Sequence, residues 1–432
     1  MLLEQIQTPM KNENETFYYP QYKNNCISNI TDLLLDIFET HNKTTKPLLE
    51  GVAENAYTER NTKVVLIVVD GFGFNQFLNY HREDRFLTEL TSKGIVQPLT
   101  SVFPSQTTNA LTTLNTGLTP QEHGLFEYLI YLKEIGIVNA LRFERVGIEP
   151  EDKIIEEFDP SILLLKGKTV FNTLNENGIS TYTHLNATNA FNPCSKIIFK
   201  GSTMVASMKM SDSIVGLRKK IEENKDKSAY FFVHLDTLDT ISHVYGPNSY
   251  EYHSELSLIT YLLNKELVRK IDHKTAKETT LLLTADHGEI NVDLEKTVYL
   301  PRAVLHLESG KNGKPISPTG SPREIFLHIK EEKLPETIRW LLKKIGDKAQ
   351  IIETVKAAEN GLFGTGFASE GFFERAGNLL ILPYGNETIW FENPEGRRIS
   401  FLGQHGGLNK QEMFVPFAVA NLDNLKEKVS TR

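Results

Sequence analysis

The feature that most limits the possible fold is a set of apolar runs, of which Val64–Val69 is continuous and aliphatic. Four of these runs predict strands, at residues 64–69, 179–185, 229–235 and 279–285. A strand that is apolar on both faces must be covered on both faces, which is typical of a central parallel sheet. Helical patterns at 28–42, 168–178, 211–224 and 250–273 lie before and between the runs. This alternation predicts an α/β fold with a mostly parallel central sheet between helices.

The pattern divides the chain into four parts. Residues 1–27 are polar and irregular, which predicts a weakly ordered N-terminal arm. The first part of the core covers 28–289 and contains a cap-like insertion at about 130–200. Charged helices alternate with short strands over 290–400, which predicts a smaller inserted α+β subdomain, and 401–432 return to the core.

Composition excludes several classes of protein. The formal net charge is -8 and no long basic run occurs, so a dedicated nucleic-acid surface is not expected. Cys26 and Cys194 are the two cysteines, too few for a disulfide framework or a CxxC metal site. The longest aliphatic run, Val64–Val69, is too short to span a membrane, and no signal peptide pattern is present. These features predict a cytoplasmic location, with export by a signal-less route left open and the oligomeric state unspecified.

Acidic residues and histidines follow the predicted strands at their carboxyl ends. Ligands bind at this edge of a parallel sheet, so these side chains are expected to meet. Buried carboxylates that meet repel one another unless a cation lies between them, and mixed Asp/His donors suit zinc. Six donors are too many for one tetrahedral ion and predict two ions roughly 3.5–4 Å apart. The candidate ligands are Asp70, Asp239, His243, Asp286, His287 and His405.

Each candidate also has an ordinary structural explanation when it is taken alone. Asp70 precedes a glycine, as in many turns, and Asp239 and His243 have the i,i+4 spacing of common surface pairs. Thr107, in the segment "FPSQTT", is placed at a helix start, where a threonine could be a nucleophile or a simple cap. It is the combination of separate segments that favours a metal site.

Five motifs together resemble a known family. "VVDGFG", "FPSQTTNALTTLNTGLTPQEHG", "DTISHVYGP", "TADHGE" and "GQHGGL" occur in the order typical of the alkaline phosphatase superfamily. They are most similar to its nucleotide pyrophosphatase/phosphodiesterase branch, and "HGGLNKQEMFVPFAV" also resembles PglZ-type members. The resemblance implies an alkaline phosphatase-like fold and hydrolysis of phosphodiester or phosphoanhydride bonds in a small phosphate-containing substrate, such as a nucleotide.

The resemblance also implies roles for individual residues. Thr107 would be the nucleophile and would form a phospho-threonine intermediate. One divalent cation would be held by Asp70, Thr107, Asp286 and His287, and the other by Asp239, His243 and His405. Zn²⁺ is the expected metal, with Mn²⁺ as the alternative. Asp236 is not assigned to either cation and would support the ligands or cap a helix.

The substrate side departs from the pattern of the branch. Glu127 or Tyr128 stands where many of its phosphodiesterases carry an asparagine that donates to the phosphate. The substrate-binding candidates are Asn109, Tyr128 and Arg323. Two alternatives remain open: a phosphomonoesterase or phosphotransferase with the same metals, and a non-catalytic interaction protein that retains the fold.

Overall fold

A seven-stranded sheet forms the centre of the protein. The computed structural model describes residues 17–40, 62–146, 154–392, 396 and 398–426, and its strands are numbered β1 to β18 in chain order. Across the sheet the order is β2 (Ile95–Thr100), β18 (Phe414–Asn421), β9 (Thr279–Thr284), β1 (Lys63–Val69), β8 (Ala229–Leu235), β6 (Ser180–Asn186) and β7 (Thr203–Ser207).

The direction of the strands confirms the predicted fold class. β1 pairs in parallel with β8 and β9, and β6 pairs in parallel with β8 and β7. β18 runs antiparallel to both of its neighbours, β9 and β2. Every residue of β1, β8 and β9 is buried, which explains their continuous apolar sequences. The sheet is therefore mostly parallel, as predicted.

The three central strands bring their carboxyl ends together. Val68 in β1 is in register with His234 in β8 and with Thr284 in β9. Asp70 follows β1, while Asp286 follows β9 by two positions, so both carboxylates leave the sheet at the same edge. This register, rather than any contact near in sequence, assembles the site described below.

Helices flank the sheet and agree with the predicted patterns. The 28–42 pattern forms Ile30–Ile37, and the 250–273 pattern forms Tyr250–Leu262 followed by a π-helix at Leu263–Val268. Residues 41–42 of the first pattern lie outside the described residues. The other α-helices are Phe74–Tyr80, Arg85–Lys93, Thr107–Thr116, Pro120–His123, Ile154–Glu157, Val170–Glu176, Ala187–Ala190, Pro193–Ile198, Met210–Glu223, Thr237–Tyr245, His273–Lys277, Leu334–Ile345, Thr354–Glu359, Phe372–Ala376, Lys410–Met413 and Leu422–Leu425.

A second sheet lies within residues 290–400. It is antiparallel, with the order β12 (Thr319–Ser321), β13 (Glu324–Leu327), β15 (Leu379–Pro383) and β14 (Ala349–Glu353). Successive residues of β13 face opposite sides, because side chains alternate along a strand. Ile325 and Leu327 join a separate apolar cluster with the helix Leu334–Ile345, whereas Phe326 packs into the main core. The second sheet is thus attached to the core by one of its faces.

Shorter strands complete the described part of the chain. β3 (Leu129–Leu132), β4 (Gly136–Asn139) and β5 (Glu144–Arg145) form a small antiparallel sheet inside the expected cap-like insertion. β6 lies in the same expected insertion but belongs to the central sheet, so the region that departs from the core is shorter than about 130–200. Two further pairs are β10 (Ile290–Asn291) with β17 (Gly403–Gln404), and β11 (Val298–Leu300) with β16 (Ile389–Phe391).

The described end of the N-terminal arm is packed, which differs from the expectation of weak order. Phe17, Tyr22 and Cys26 are buried in the main core. The Tyr22 hydroxyl donates to the Leu362 carbonyl at 3.1 Å. Residues 1–16 of the predicted arm lie outside the described residues. Among the described helices, none has the length and apolar character needed to cross a membrane.

Candidate metal centre and active site

Four distant segments meet at the carboxyl edge of the central strands. His287 Nε2 lies 3.4 Å from Asp70 Oδ1, 3.3 Å from Asp286 Oδ2 and 3.2 Å from Thr107 Oγ1. Asp286 and His287 are fully buried, and Asp70 is almost so. We call Asp70, Thr107, Asp286 and His287 the first cluster. Its members are the four residues that the resemblance assigns to one cation.

Three residues form a second cluster beside the first. Asp239 and His243 lie one turn apart on the helix Thr237–Tyr245, and Asp239 Oδ1 lies 3.5 Å from His243 Nε2. His405, which follows β17, places its Nε2 3.7 Å from the same oxygen. The rings of His287 and His405 stack with their centroids 3.7 Å apart, so the two clusters are in contact. We call Asp239, His243 and His405 the second cluster.

His243, His287 and His405 all direct Nε2 toward the two clusters. Their Nδ1 atoms face backbone carbonyls at 2.8 Å for His243, 3.1 Å for His287 and 3.0 Å for His405. A carbonyl can only accept a hydrogen bond, so each Nδ1 carries the proton of the neutral ring. Each Nε2 then has a free lone pair directed at the carboxylates, which is the state of a histidine that binds a metal ion.

Buried carboxylate oxygens in both clusters lack a hydrogen-bond donor. Asp286 Oδ1 accepts from the backbone N–H groups of Gly71 and His287, but Oδ2 has no partner. Asp70 Oδ1 and Asp239 Oδ1 are unpartnered as well. An unsatisfied buried carboxylate is costly, and several of them cannot all remain charged. Carboxylate oxygens, imidazole nitrogens and a hydroxyl converging in this way are a donor set that fits divalent cations.

Burial is also the main cause of the shifted pKa values of Asp70 and His405. Burial, followed by the charges of Asp286 and Asp239, raises the pKa of Asp70 well above its ordinary value. Burial, followed by the proximity of His287, lowers the pKa of His405 well below its ordinary value. The protein alone therefore disfavours charge on both a carboxylate and an imidazole. A bound cation reverses this for the carboxylate, because it favours the ionised form.

Two further residues of the site were not among the sequence candidates. His234 in β8 places Nε2 3.1 Å from Asp70 Oδ2. Glu289, three residues after Asp286, is fully buried beside the second cluster and accepts from the Ser242 hydroxyl. His234 is the polar residue of an apolar strand, and that contrast was the available signal. Asp236 accepts from Asn189 at 3.0 Å, outside both clusters.

Thr107 is the first residue of the helix Thr107–Thr116, and Gln106 occupies the N-cap position. The preceding loop is held by Ser105, whose hydroxyl donates to the Gly407 carbonyl at 3.0 Å. Asn109 is fully buried and donates to the Pro104 carbonyl at 2.7 Å. Asn109 therefore braces the loop and does not line the cavity of about 460 Å³ that opens in front of Thr107, which corrects its prediction as a substrate-binding residue.

Arg323 also has a different role from the one predicted. Its guanidinium is fully buried and donates to Glu412 through Nε at 3.0 Å and through Nη2 at 2.8 Å. It donates in addition to the carbonyls of Gly385 and Glu387. All of its nitrogens are thus engaged within the protein. Arg323 joins β13 to the C-terminal part of the core and is not available to a phosphate or a base.

A cavity of about 460 Å³ opens in front of Thr107 and the second cluster. Tyr128, the third substrate-binding candidate, lines it together with Trp390 and Phe401. Phe401 stacks on the ring of His243 with a centroid distance of 4.5 Å. Arg398 contributes a cation to the lining and lies 5.5 Å from the ring centroid of Tyr299. The cavity therefore offers aromatic surfaces, a phenolic hydroxyl and a positive charge beside the clusters.

Glu127 does not replace the asparagine that donates to the phosphate in many phosphodiesterases of this branch, because its carboxyl group is buried in the protein. It is fully buried beside Glu324, and its Oε1 accepts from the backbone N–H of Tyr128 at 2.8 Å. Burial raises the pKa of Glu127 to about 7, and burial together with the charge of Glu127 raises that of Glu324 well above its ordinary value. Gln106 Nε2 donates to Glu324 at 2.9 Å. This carboxyl pair therefore lies behind the N-cap of the helix that carries Thr107.

Comparison with solved structures finds proteins of the same fold. Murine ectonucleotide pyrophosphatase/phosphodiesterase 5, an inactive variant in complex with AMP, is 18% identical with a TM-score of 0.61 over 83% of this chain and 87% of its own. The human protein of that name is 18% identical with a TM-score of 0.58 over 85% and 90%. Phosphonoacetate hydrolase from Sinorhizobium meliloti 1021, in complex with phosphonoformate, is 16% identical with a TM-score of 0.56 over 85% and 95%.

These similarities confirm the alkaline phosphatase-like fold. No curated protein sequence matches the chain. The family model described as type I phosphodiesterase/nucleotide pyrophosphatase matches residues 64–407, a span that contains both clusters and the cavity. The chain therefore belongs to the type I phosphodiesterase/nucleotide pyrophosphatase family and is a phosphoester hydrolase.

Proposed function

We propose that this protein hydrolyses phosphodiester or phosphoanhydride bonds with Thr107 as the nucleophile at a site for two Zn²⁺ ions. The observation that carries the proposal is the position of Thr107 Oγ1, 3.2 Å from His287 Nε2 at the start of a helix. A hydroxyl placed within a cluster of unpartnered carboxylates and imidazoles is suited to nucleophilic attack, not to helix capping.

The two clusters would hold one cation each. The donor atoms are carboxylate oxygens and imidazole nitrogens, which favour Zn²⁺, with Mn²⁺ as the alternative. When bound, the cations lower the pKa of a coordinated hydroxyl or water and offset the charge that develops on the phosphoryl oxygens. The contact between the His287 and His405 rings supports simultaneous binding of both ions, because it brings the clusters within reach of one phosphoryl group.

Thr107 would attack phosphorus in line with the leaving oxygen, and its hydroxyl proton would pass to solvent. Backbone N–H groups at the start of the helix Thr107–Thr116 would stabilise the phosphoryl oxygens. A phospho-threonine that still carries the second substituent of the substrate would form, and water entering on the side of Asp239, His243 and His405 would release the phosphate monoester from it. Two successive displacements would leave the configuration at phosphorus unchanged.

The organic part of the substrate would occupy the cavity in front of Thr107. Tyr128 and Arg398 could donate hydrogen bonds to it, and Trp390 and Phe401 could pack against a ring. A nucleotide is a small phosphate-containing molecule that satisfies both requirements. The AMP bound to the murine relative makes nucleotides the first class of substrate to test.

The decisive experiment combines metal analysis with hydrolysis of two model substrates. Wild-type protein should contain close to two zinc ions per chain and should cleave bis-p-nitrophenyl phosphate faster than p-nitrophenyl phosphate. Thr107→Ala should abolish cleavage, whereas Thr116→Ala, in which the lost hydroxyl bonds the Thr112 carbonyl at the other end of the helix, should retain it.

Other outcomes would revise the proposal in different ways. Preference for the monoester with both metals bound would leave the site intact and favour the phosphomonoesterase alternative. Absence of a transition metal from the purified protein, or full activity of the Thr107→Ala variant, would contradict the mechanism.

A further inference from the structure

A fourth candidate donor lies next to the second cluster. Glu289 is fully buried, and its Oε1 has no hydrogen-bond partner. The other oxygen, Oε2, accepts from the hydroxyl of Ser242, which lies on the same helix as Asp239 and His243. One carboxylate oxygen is therefore fixed by the protein, and the second is left without a partner.

Two glycines make room for this carboxylate. A Cβ atom on Gly71 would lie 2.6 Å from Glu289 Oε1, and one on Gly403 would lie 2.4 Å from Oε2. Both distances are shorter than any tolerated contact, so a larger residue at either position would displace Glu289. Gly71 also has a φ of +72°, a conformation that glycine adopts readily. The carboxylate therefore occupies a space that the surrounding backbone keeps open.

Three donor atoms converge at this place. Asp239, His243 and Glu289 each offer one atom, and these atoms lie within 4.8 Å of one another. His243 Nδ1 carries the ring proton, because it faces the Gly403 carbonyl at 2.8 Å, so Nε2 offers a lone pair. Asp239 Oδ1 and Glu289 Oε1 are unpartnered acceptors. A single proton can join two of these three atoms, whereas one cation satisfies all three.

We propose that Glu289 is a further ligand of the cation bound by Asp239, His243 and His405. The inference rests on the two-cation site proposed above and adds a donor that the motif resemblance does not include. With Glu289 the second cation has two carboxylates and two imidazoles. Because carboxylate donors suit Mn²⁺ better than imidazole does, Glu289 also raises the affinity for Mn²⁺ relative to Zn²⁺ at this position.

The test is metal titration of the chelator-stripped full-length protein, with the second equivalent resolved by competition with a chromophoric chelator. Glu289→Gln keeps the size of the side chain and removes its charge. It should weaken the second zinc equivalent by at least about tenfold, leave the first unchanged and lower the Mn²⁺ affinity by a larger factor. Ser242→Ala removes only the hydrogen bond to Glu289 Oε2 and should weaken binding of the second zinc equivalent by no more than about fivefold.

A second variant covers the case in which Glu289→Gln does not fold. Glu289→Asp keeps the charge but shortens the reach, and it too should bind the second equivalent at least about tenfold more weakly than wild type. If either folded Glu289 variant binds both zinc equivalents with wild-type affinity, the inference about Glu289 is wrong, while the proposed two-cation site still stands. Wild-type protein that binds fewer than two cations would overturn the proposed two-cation site as well, so the two failures are distinguishable.

Discussion

Thr107 Oγ1 and His287 Nε2 lie 3.2 Å apart, although 180 positions separate the two residues in the chain. Thr107 begins a helix, but its side chain does not cap that helix, because Gln106 occupies the N-cap position. His287 presents a lone pair at Nε2, since its Nδ1 faces the Gly288 carbonyl. The hydroxyl and the imidazole are therefore directed at a common point between them and the carboxylates of Asp70 and Asp286.

This relationship predicts different results for two substitutions of Thr107. Thr107→Ser keeps a hydroxyl at the same position and should retain measurable diester hydrolysis. Thr107→Val keeps the branched shape without the hydroxyl and should lower kcat by on the order of 10³-fold or more. Steady-state kinetics and acid-quench detection of phosphorylated protein check both variants. A phosphorylated Thr107→Val protein would show that another residue is the nucleophile.

Removal of the cations should destabilise the protein. Asp70, Asp239 and Asp286 present unpartnered oxygens to one another, and a cation that binds only the folded state stabilises it by mass action. Free zinc at one hundred times its Kd should add about 2.7 kcal/mol per occupied site to the free energy of unfolding. Thermal unfolding of chelator-treated protein with and without added zinc measures the shift. Asp286→Asn should reduce the shift in unfolding temperature that zinc causes. A shift as large as that of wild type would argue against binding at the first cluster.

Arg323→Ala should mainly affect stability. The substitution leaves Glu412 buried without its bidentate partner and leaves the Gly385 and Glu387 carbonyls without a donor. Breaking a buried ion pair in this way costs about 3–5 kcal/mol. Denaturant unfolding measures this loss, with Arg302→Ala as a control at an exposed arginine. An Arg323→Ala protein of wild-type stability and raised KM would instead support the substrate contact predicted from the sequence.

The central sheet and both clusters could be predicted because their signals are local. Apolar runs define the strands, and Asp70 and Asp286 follow strands of the parallel sheet within two positions, where its geometry brings side chains together. His405 follows β17, which belongs to a separate antiparallel pair. The spacing of Asp239 and His243 is that of one helical turn. These residues were identified from the sequence without any knowledge of distant contacts.

The residues that escaped prediction depend on distant contacts instead. His234 appears in an apolar strand, and its meeting with Asp70 follows from the β1–β8 register, which a single sequence does not specify. Arg323 was predicted to bind substrate, and its partner Glu412 is 89 positions away. Glu127 stands where related phosphodiesterases carry an asparagine that donates to the phosphate, but it is buried beside Glu324, a residue of the second sheet that is distant in the chain.

His234 should contribute to cation binding through its contact with Asp70. Its Nε2 lies 3.1 Å from Asp70 Oδ2, whereas His287 Nε2 lies 3.4 Å from the other oxygen, Oδ1. Loss of the imidazole would free Asp70 to rotate, and loss of such a supporting residue typically lowers metal affinity by about 10–100-fold. Metal analysis of His234→Ala after dialysis against defined free zinc measures the effect. His273→Gln, at an exposed histidine paired with Asp423, is the control and should bind zinc as wild type does.

The buried pair of Glu127 and Glu324 should make stability depend on pH. The ordinary pKa of a glutamate is 4.5, and burial raises that of Glu127 to about 7 in the folded protein. Between these values the folded state keeps a proton that the unfolded state has released. The stabilising contribution of neutral Glu127 is therefore complete below about pH 4.5 and is lost as the pH rises through about 7.

Glu127→Gln should remove this dependence, because an amide stays neutral at every pH. Wild-type protein should lose up to about 1.4 kcal/mol of unfolding free energy per pH unit from this group, and the variant should not. The variant should therefore gain stability relative to wild type as the pH is raised from 5 toward about 7. Denaturant unfolding at several pH values and constant zinc measures the difference, with Glu332→Gln as a control at an exposed glutamate. A constant difference between variant and wild type across that range would mean that Glu127 is already ionised in the folded protein.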